Sequence, residues 1–146
     1  FALVLAADIL EHVGDDPSVA AEIFRILKPG GLAVVVVPAI KSLWGWQDQV
    51  SGHHRRYSPA AIQKRLTNSG LDVVRTTCMN TLLTLPIFAA RKLLRVTNLA
   101  PRSENQILPD LLNPILYAIF AAETPVVCRW DIPFGTSVVC LARRPI

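Results

Sequence analysis

Cysteine is scarce in this sequence, and the few cysteines form no recognisable motif. Cys78, Cys128 and Cys140 are odd in number, far apart and without Cys-x-x-Cys spacing. Disulfide-stapled folds and structural zinc sites depend on paired or closely spaced cysteines. We therefore expect free thiols in a reducing compartment, and we predict a cytoplasmic protein.

Long apolar runs are also missing. No run reaches the roughly 18 to 20 residues that a membrane-spanning helix needs, and the first residues lack the basic segment and cleavage site of a signal peptide. Hydrophobic residues make up 51% and charged residues 18% of the 146 residues, which is typical of a globular domain. Because the sequence does not begin with Met and Phe1 opens directly into an apolar run, we expect a piece of a longer protein.

The net charge of +4 is distributed unevenly. Residues 1–27 carry a net charge of −4, whereas residues 28–102 carry +9. A basic segment of this kind suits an anionic ligand, although a solvated face has the same composition. No nucleic-acid partner is predicted, because the sequence has neither a recognition-helix signature nor a basic strand interleaved with aromatic residues.

Strand and helix patterns alternate along the chain. Short apolar runs predict strands at 2–7, 32–37, 72–78 and 136–142, and helical spacing predicts helices at 17–28, 59–69, 86–96 and 111–123, with an irregular stretch over 39–57 and a polar linker over 97–110. The first strand, helix and strand form a crossover unit, which makes a parallel pair. We therefore predict an α/β fold, an open sheet with helices on both faces.

Polar residues are concentrated after the second predicted strand. In open α/β sheets, ligands bind outside the carboxyl ends of the strands, and this rule selects residues 7–12, 38–57 and 79–85. The second of these segments contains "GHHRRY" at 52–57, with two histidines, two arginines and a tyrosine. Such a density of donors is unusual for a solvated turn, so we interpret it as the wall or lid of a binding crevice.

Four stretches of the chain resemble one enzyme family. They are "LAADILEHVGDD" from residue 5, "EIFRILKPGGLAVVVVPA" from residue 22, "LWGWQDQVSGHHRRYS" from residue 43 and "LTNSGLDVV" from residue 66. Together they resemble the carboxyl-terminal two-thirds of a class I S-adenosylmethionine-dependent methyltransferase. The resemblance implies a Rossmann-like sheet whose last strand is antiparallel, S-adenosyl-L-methionine as the cofactor, and methyl transfer to an unidentified small-molecule, sugar or lipid-like acceptor.

The sequence departs from this family at its beginning. The family's Gly-rich loop and ribose-binding acid are absent, and Gly30-Gly31 follows a helix rather than a strand. We therefore expect a single partial domain over 1–146, inactive alone, with a core at 1–80, a helical insertion or lid at 81–132 and a final strand at 133–146. The alternative is a non-catalytic methyltransferase-like domain with a basic interaction face.

The resemblance assigns roles to the loop after the first strand. Ala6, Ala7, Asp8 and Glu11 are the candidate cofactor-binding residues, because they lie at or just after the strand end that adjoins the cofactor's methionine part. Strand packing explains the two alanines equally well, and the helix dipole favours an acid such as Glu11 near a helix start. His12 is a candidate catalytic base, since an imidazole titrates near neutral pH; organising the loop by hydrogen bonds is its alternative role.

The resemblance also assigns roles to the loop after the second strand. His53 is a second catalytic candidate, and the candidate substrate-binding residues are Trp44, Asp48, Arg55, Arg56 and Tyr57. Arginines suit an acceptor that carries a carboxylate or phosphate. A structural network, in which one arginine pairs with Asp48 and Tyr57 caps the following helix, is the open alternative. No metal site is predicted, because the adjacent His53 and His54 diverge in direction.

The apolar and basic residues of the segment 86–123 have two interpretations. Basic residues beside apolar ones in 86–123 favour peripheral contact with a membrane, whereas core or lid helices explain the same pattern. The acceptor and the oligomeric state are not determined by the sequence.

Overall fold

The four predicted strands form one sheet. The computed structural model describes residues 1–97 and 112–146, and its strands are β1 (Leu3–Ala7), β2 (Leu32–Pro38), β3 (Asp72–Met79) and β4 (Ser137–Arg143), in the order β1-β2-β4-β3. β1 is parallel to β2, and β4 is antiparallel to both β2 and β3. The predicted open sheet with an antiparallel last strand is confirmed.

Helices and short turns connect these strands. The described helices are α1 (Asp16–Ile26), α2 (Trp46–Val50), α3 (Pro59–Asn68), α4 (Thr81–Thr97) and α5 (Leu112–Arg129), with 3-10 turns at Leu10–His12 and Lys41–Leu43. α1 and α3 begin close to their predicted starts, because Asp15 and Ser58 accept hydrogen bonds from the backbone of the first turns. The stretch predicted as irregular contains α2, and the predicted linker falls almost entirely outside the described residues.

α4 and α5 are longer than their sequence patterns predict. α4 begins at Thr81, five residues before the predicted start, and the Thr81 N–H donates to the Glu123 carboxylate of α5 at 2.8 Å. α5 continues to Arg129, and the Arg75 side chain of β3 donates to two carbonyls near that end. These partners are more than 40 positions away in the sequence, so local spacing cannot reveal them.

One face of the sheet forms the hydrophobic core. Ala6, Val35, Cys140 and Thr76 pair in register across the four strands on this face, and the first three are buried. The buried side chains of α1 and α3 cover them, namely Ala20, Ile23, Ile62 and Leu66. The core therefore holds β1 and β2 in place and fixes where their carboxyl ends lie.

The opposite face is covered at one side only. Leu5, Val34, Leu141 and Arg75 pair in register on this face. The Arg75 side chain contacts α5 at the β3 side, whereas Leu5 on β1 is 67% exposed. Helices therefore lie on both faces, as predicted, and the described residues leave the β1 side of the second face open.

Candidate functional site

The loops that follow β1 and β2 come together at the carboxyl edge of the sheet. The backbone N–H of His54 donates to the Glu11 carbonyl at 2.6 Å, and the Tyr57 hydroxyl contacts the Leu10 carbonyl at 3.3 Å. Tyr57 also donates its backbone N–H to Pro38 at the end of β2. The "GHHRRY" segment therefore crosses from the second loop to the first, where a ligand of an open α/β sheet would bind.

Asp48 is the centre of one polar network in this crevice. Its carboxylate is fully buried and accepts hydrogen bonds from Arg56 Nε at 2.7 Å, from Gly45 N at 2.9 Å and from His53 Nδ1 at 3.0 Å. Burial alone would raise its pKa, but these bonds together hold the pKa of Asp48 below its ordinary value. Arg56 also donates to the Ala39 carbonyl and is itself buried, so the described contacts favour the structural-network alternative for Arg56.

Asp16 is the centre of a second network on the neighbouring side. Arg55 Nη1 lies 2.5 Å from one carboxylate oxygen, and the Tyr57 hydroxyl and Arg65 Nε donate to the other at 2.8 and 2.9 Å. Burial, followed by the hydrogen bond and charge of Asp16, raises the pKa of Tyr57. This network joins α1 to the "GHHRRY" segment and to α3.

Glu11 has the opposite environment. It is fully buried, yet neither carboxylate oxygen accepts a hydrogen bond from a donor group of the described residues. Burial raises the pKa of Glu11 to about 7. The Glu11 backbone N–H, which lies outside hydrogen-bond geometry, and the charge of Arg56 lower this pKa, while the charge and side chain of Asp8 raise it further. A buried polar side chain without a donor requires an explanation.

His12 and His53 meet across the two loops. Their ring centroids are 4.6 Å apart and their planes stand at 84° to one another. His12 is exposed, whereas the side chain of His53 is 15% exposed and is oriented by Asp48. The structure thus brings together the two catalytic candidates of the sequence.

The other candidate residues have different surroundings. The Ala6 side chain is buried in the core, while Ala7 and Asp8 are exposed at the end of β1. Asp8 adopts a φ of 51°, a left-handed conformation that an aspartate tolerates better than most residues. Trp44 is half-buried after the second 3-10 turn. The cofactor and substrate roles of these residues stay predictions.

Sequence analysis did not single out two members of the networks. Asp16 lies in "GDDPS", a string that signals only a helix start, and Arg65 lies among the polar residues of α3. Arg91 of α4 is a further contributor, since its Nη1 lies 3.4 Å from Asp48 and also donates to the Leu43 carbonyl. The sequence did contain a partial signal, because two adjacent arginines after an acidic loop favour ion pairs. Which acid each arginine contacts is determined only by the fold.

The surface of α4 and α5 is rich in exposed apolar side chains. Leu85, Leu93, Tyr117 and Trp130, the last directly after α5, are each at least 60% exposed. Within the described residues, none of the helices combines the length and apolarity that crossing a bilayer requires. The predicted peripheral membrane contact through 86–123 and the lid role of 81–132 stay predictions, and residues 98–111 of both segments lie outside the described chain.

Comparison with known proteins decides the family. A family model described as a methyltransferase domain matches residues 1–76, more than half of the chain. The chain belongs to this methyltransferase-domain family. The matched residues include β1, β2 and both loops of the crevice. No significant match exists among curated protein sequences.

Solved structures confirm the class I methyltransferase fold. A proposed methyltransferase from Bacillus halodurans has a TM-score of 0.58 at 16% identity, with 100% of this chain and 65% of that chain covered. Phosphoethanolamine N-methyltransferase 2 of Haemonchus contortus, in complex with S-adenosyl-L-methionine, has a TM-score of 0.52 at 19% identity, with 100% and 34% covered. The [4+2]-cyclase SpnF has a TM-score of 0.53 at 19% identity, with 100% and 50% covered.

These likenesses bear on the fold alone, because all three identities are below 20%. This methyltransferase domain spans between a third and two thirds of the length of those structures. SpnF is described as a cyclase, so the same fold also occurs in a protein named for a different reaction.

Proposed function

We propose that this chain forms part of a cytoplasmic S-adenosylmethionine-dependent methyltransferase that acts on a small-molecule, sugar or lipid-like acceptor. The observation that carries the proposal is the polar crevice at the carboxyl edge of β1 and β2, which lies within the family-matched residues. In this fold class, ligands bind at that edge. The crevice also contains two histidines, the residue type that most often accepts a proton from a reacting group.

The exposed carboxyl end of β1 fits the cofactor. Ala7 has a small, exposed side chain, and Asp8 turns the backbone directly after it. Small side chains let a ligand approach the backbone closely, so we assign the cofactor's methionine part to Ala7 and Asp8. Ala6 contributes its backbone alone, because its side chain is in the core. When bound, the cofactor supplies a methyl group that is already activated by a sulfonium charge.

The chain's own residues would then position the acceptor. Aligning the reacting atoms is worth roughly 7 to 11 kcal/mol in well-oriented reactions. His53 suits this task because the bond from its Nδ1 to Asp48 fixes the ring and leaves Nε2 for a ligand. If the acceptor must lose a proton, the His12 and His53 pair would assist that loss, an effect of roughly 10²–10⁴-fold.

The networks change which acceptors we propose. Arg55 and Arg56 donate to Asp16, Asp48 and backbone carbonyls, so their guanidinium groups are already engaged within the protein. An anionic acceptor therefore has less support from the structure than a hydroxyl-bearing one, which the two histidines can contact directly.

Cofactor binding provides the first test. The longest natural polypeptide that contains this chain should bind S-adenosyl-L-methionine in calorimetry and should transfer tritium from its labelled methyl group to a component of a mixed pool of sugars, lipids and small acids. Ala7→Trp should abolish binding, because the bulky side chain fills the proposed site. Ala21→Trp, at an exposed position on α1, is the matched control and should bind normally.

Two outcomes would contradict the proposal. If the folded polypeptide binds no cofactor, the non-catalytic binding domain becomes the better description. If Ala7→Trp binds as well as Ala21→Trp, the cofactor lies elsewhere. The 146-residue chain alone should bind weakly or not at all, since it contains no Gly-rich loop between a strand and a helix.

A further inference from the structure

We propose that Glu11, His12 and His53 bind a divalent transition-metal ion, zinc by preference, where the two loops meet. One ligand atom from each residue lies within 4.8 Å of the other two. Two imidazoles and one carboxylate are a donor set that zinc favours. The partner of His53 in this site is His12 from the other loop, not the adjacent His54 on which the sequence analysis based its expectation of no metal.

The inference goes beyond the proposed function, because an ion can bind whether or not the domain transfers methyl groups. The buried carboxylate of Glu11 is the first observation that points to a cation. Neither of its oxygens has a donor in hydrogen-bond geometry among the described residues, the Glu11 backbone N–H offsets the effect of burial only in part, and burial of a negative charge without a bonded partner is costly. The charge of Arg56 acts on Glu11, but the Arg56 donors are directed to Asp48 and to the Ala39 carbonyl. A divalent ion would supply the missing positive charge.

The orientation of His53 is the second observation. Its Nδ1 is 3.0 Å from Asp48 Oδ1, so Nε2 is the ring nitrogen left for a metal ion. Metal-binding histidines generally donate their other ring nitrogen to a carboxylate or carbonyl, which fixes the tautomer. Asp48 is itself held by Arg56 and Gly45, so an outer layer of support for His53 is already in place.

The spacing requires only a small adjustment. Ligands of a tetrahedral zinc ion, each about 2.0–2.2 Å from the metal, lie roughly 3.3–3.6 Å from one another. Closing the cluster from within 4.8 Å needs side-chain movements on the order of 1 Å, shared among the three residues, to reach that geometry. The bond between His54 N and the Glu11 carbonyl keeps the two loops together during that movement.

Three protein ligands leave a fourth position open. Catalytic zinc sites have this arrangement, whereas structural zinc sites are usually closed by four protein ligands. Here the open position would face the crevice that His12 lines. If the proposed function holds, the ion would bind the acceptor's oxygen there and make its proton more acidic. That proton would leave to solvent water, in place of direct transfer to a histidine, before the oxygen takes the methyl group.

Metal titration of the 146-residue chain tests the site without any acceptor or cofactor. After dialysis against a chelator, Co²⁺ should bind with one equivalent per chain and give the visible absorption of a low-coordinate nitrogen and oxygen site, which Zn²⁺ should then displace. His53→Ala and Glu11→Gln should each weaken binding at least tenfold. Asp48→Asn should weaken it about 10–100-fold, as expected for an outer-layer partner.

His54→Ala is the matched control. This histidine is adjacent to His53 but exposed, and its backbone N–H is the group that contacts the Glu11 carbonyl. Binding to His54→Ala should equal that of the unaltered chain. Because a variant can fail to fold, nitrogen-15 NMR of the unaltered chain gives a second measurement, and Zn²⁺ should shift the Nε2 resonance of His53 while the Nδ1 proton remains.

Three results would overturn the proposal. They are the absence of one-equivalent binding, an equal loss of affinity in His53→Ala and His54→Ala, which would indicate adventitious surface binding, and a Zn²⁺ shift at His54 rather than His53. Each is independent of cofactor binding, so failure of the metal site and failure of the proposed function are distinguishable.

Discussion

Asp48 and Glu11 are both fully buried carboxylates on neighbouring loops, yet their surroundings are opposite. Asp48 accepts hydrogen bonds from an arginine, a histidine and a backbone N–H, and its pKa is held low. Glu11 has no donor among the described residues, and burial raises its pKa to about 7. The comparison separates an acid that stabilises the fold from one whose charge is left for something else to balance.

The remaining buried acids follow the pattern of Asp48. Asp16 is bonded by two arginines and a tyrosine, and Glu123 accepts the N–H of Thr81. Fully satisfied networks of this kind rigidify a structure. Glu11 is therefore the exception among the buried acids of the described chain, and the crevice combines a rigid wall with one unsatisfied group.

Removing the charge of Asp48 should have the largest effect on stability. Asp48→Asn keeps the shape but leaves Arg56 buried without its anion, a change that costs about 3–5 kcal/mol. Urea denaturation should show this loss as a lower midpoint. Asp131→Asn is the control, because Asp131 also pairs with an arginine but is 68% exposed; its effect should stay below about 1 kcal/mol. Equal effects would mean that the Asp48 network contributes no more than a surface pair.

Sequence patterns predicted the fold and the surroundings of Asp48 better than the surroundings of Glu11. The strands and the starts of α1 and α3 depend on local apolar spacing and capping, so they are readable without a structure, and the family resemblance supplied the direction of β4. The pairing of an arginine with Asp48 was also foreseen as one alternative. The lack of a hydrogen-bond donor at Glu11 was not foreseen, because it depends on which donor groups the folded chain places within reach of that carboxylate.

The same distinction explains the errors in helix length. α4 starts where the Glu123 carboxylate satisfies its first N–H, and α5 ends where Arg75 reaches its last carbonyls. Both are tertiary contacts, which a local sequence pattern cannot predict. The proposed metal ligands Glu11, His12 and His53 were each singled out, but separately, since only the fold shows that they share one space.

Neutralising Glu11 should change stability in the opposite direction to Asp48→Asn. An acid whose folded pKa is about 7 binds more protons folded than unfolded between about pH 4.5 and 7, so the unaltered chain should lose stability as pH rises through that window. The loss is on the order of 3 kcal/mol. Glu11→Gln cannot ionise there, so it should be the more stable protein at pH 8 and nearly equal at pH 4.5.

Urea denaturation at several pH values, in buffer with a chelator, measures this difference. Every other titratable residue is the same in both proteins, so the difference between the two curves isolates Glu11. If the stability of both proteins changes with pH in the same way, the negative charge of Glu11 is compensated in solution. Glu11 and Asp48 would then no longer differ.

The smallest effect should come from Asp8, which raises the pKa of Glu11 less than burial does. Asp8→Asn preserves the backbone, because asparagine tolerates the φ of 51° found there. It removes a negative charge beside Glu11 and places an amide donor within reach, and both changes favour the ionised carboxylate. The pH window in which stability falls should therefore move downward by a fraction of a pH unit, while the larger effect of burial remains.

A carbon-13 NMR titration of the Glu11 carboxyl group measures the shift that Asp8→Asn causes. Asp72→Asn, at an exposed aspartate at the start of β3, is the control and should leave the titration in place, because its charge lies away from the crevice at the other end of a strand. A downward shift would show that Asp8 opposes the charge on Glu11, as two acids without a shared cation must. An upward shift would instead show that Asp8 stabilises the ionised Glu11, and the contrast between Glu11 and Asp48 would then be one of degree.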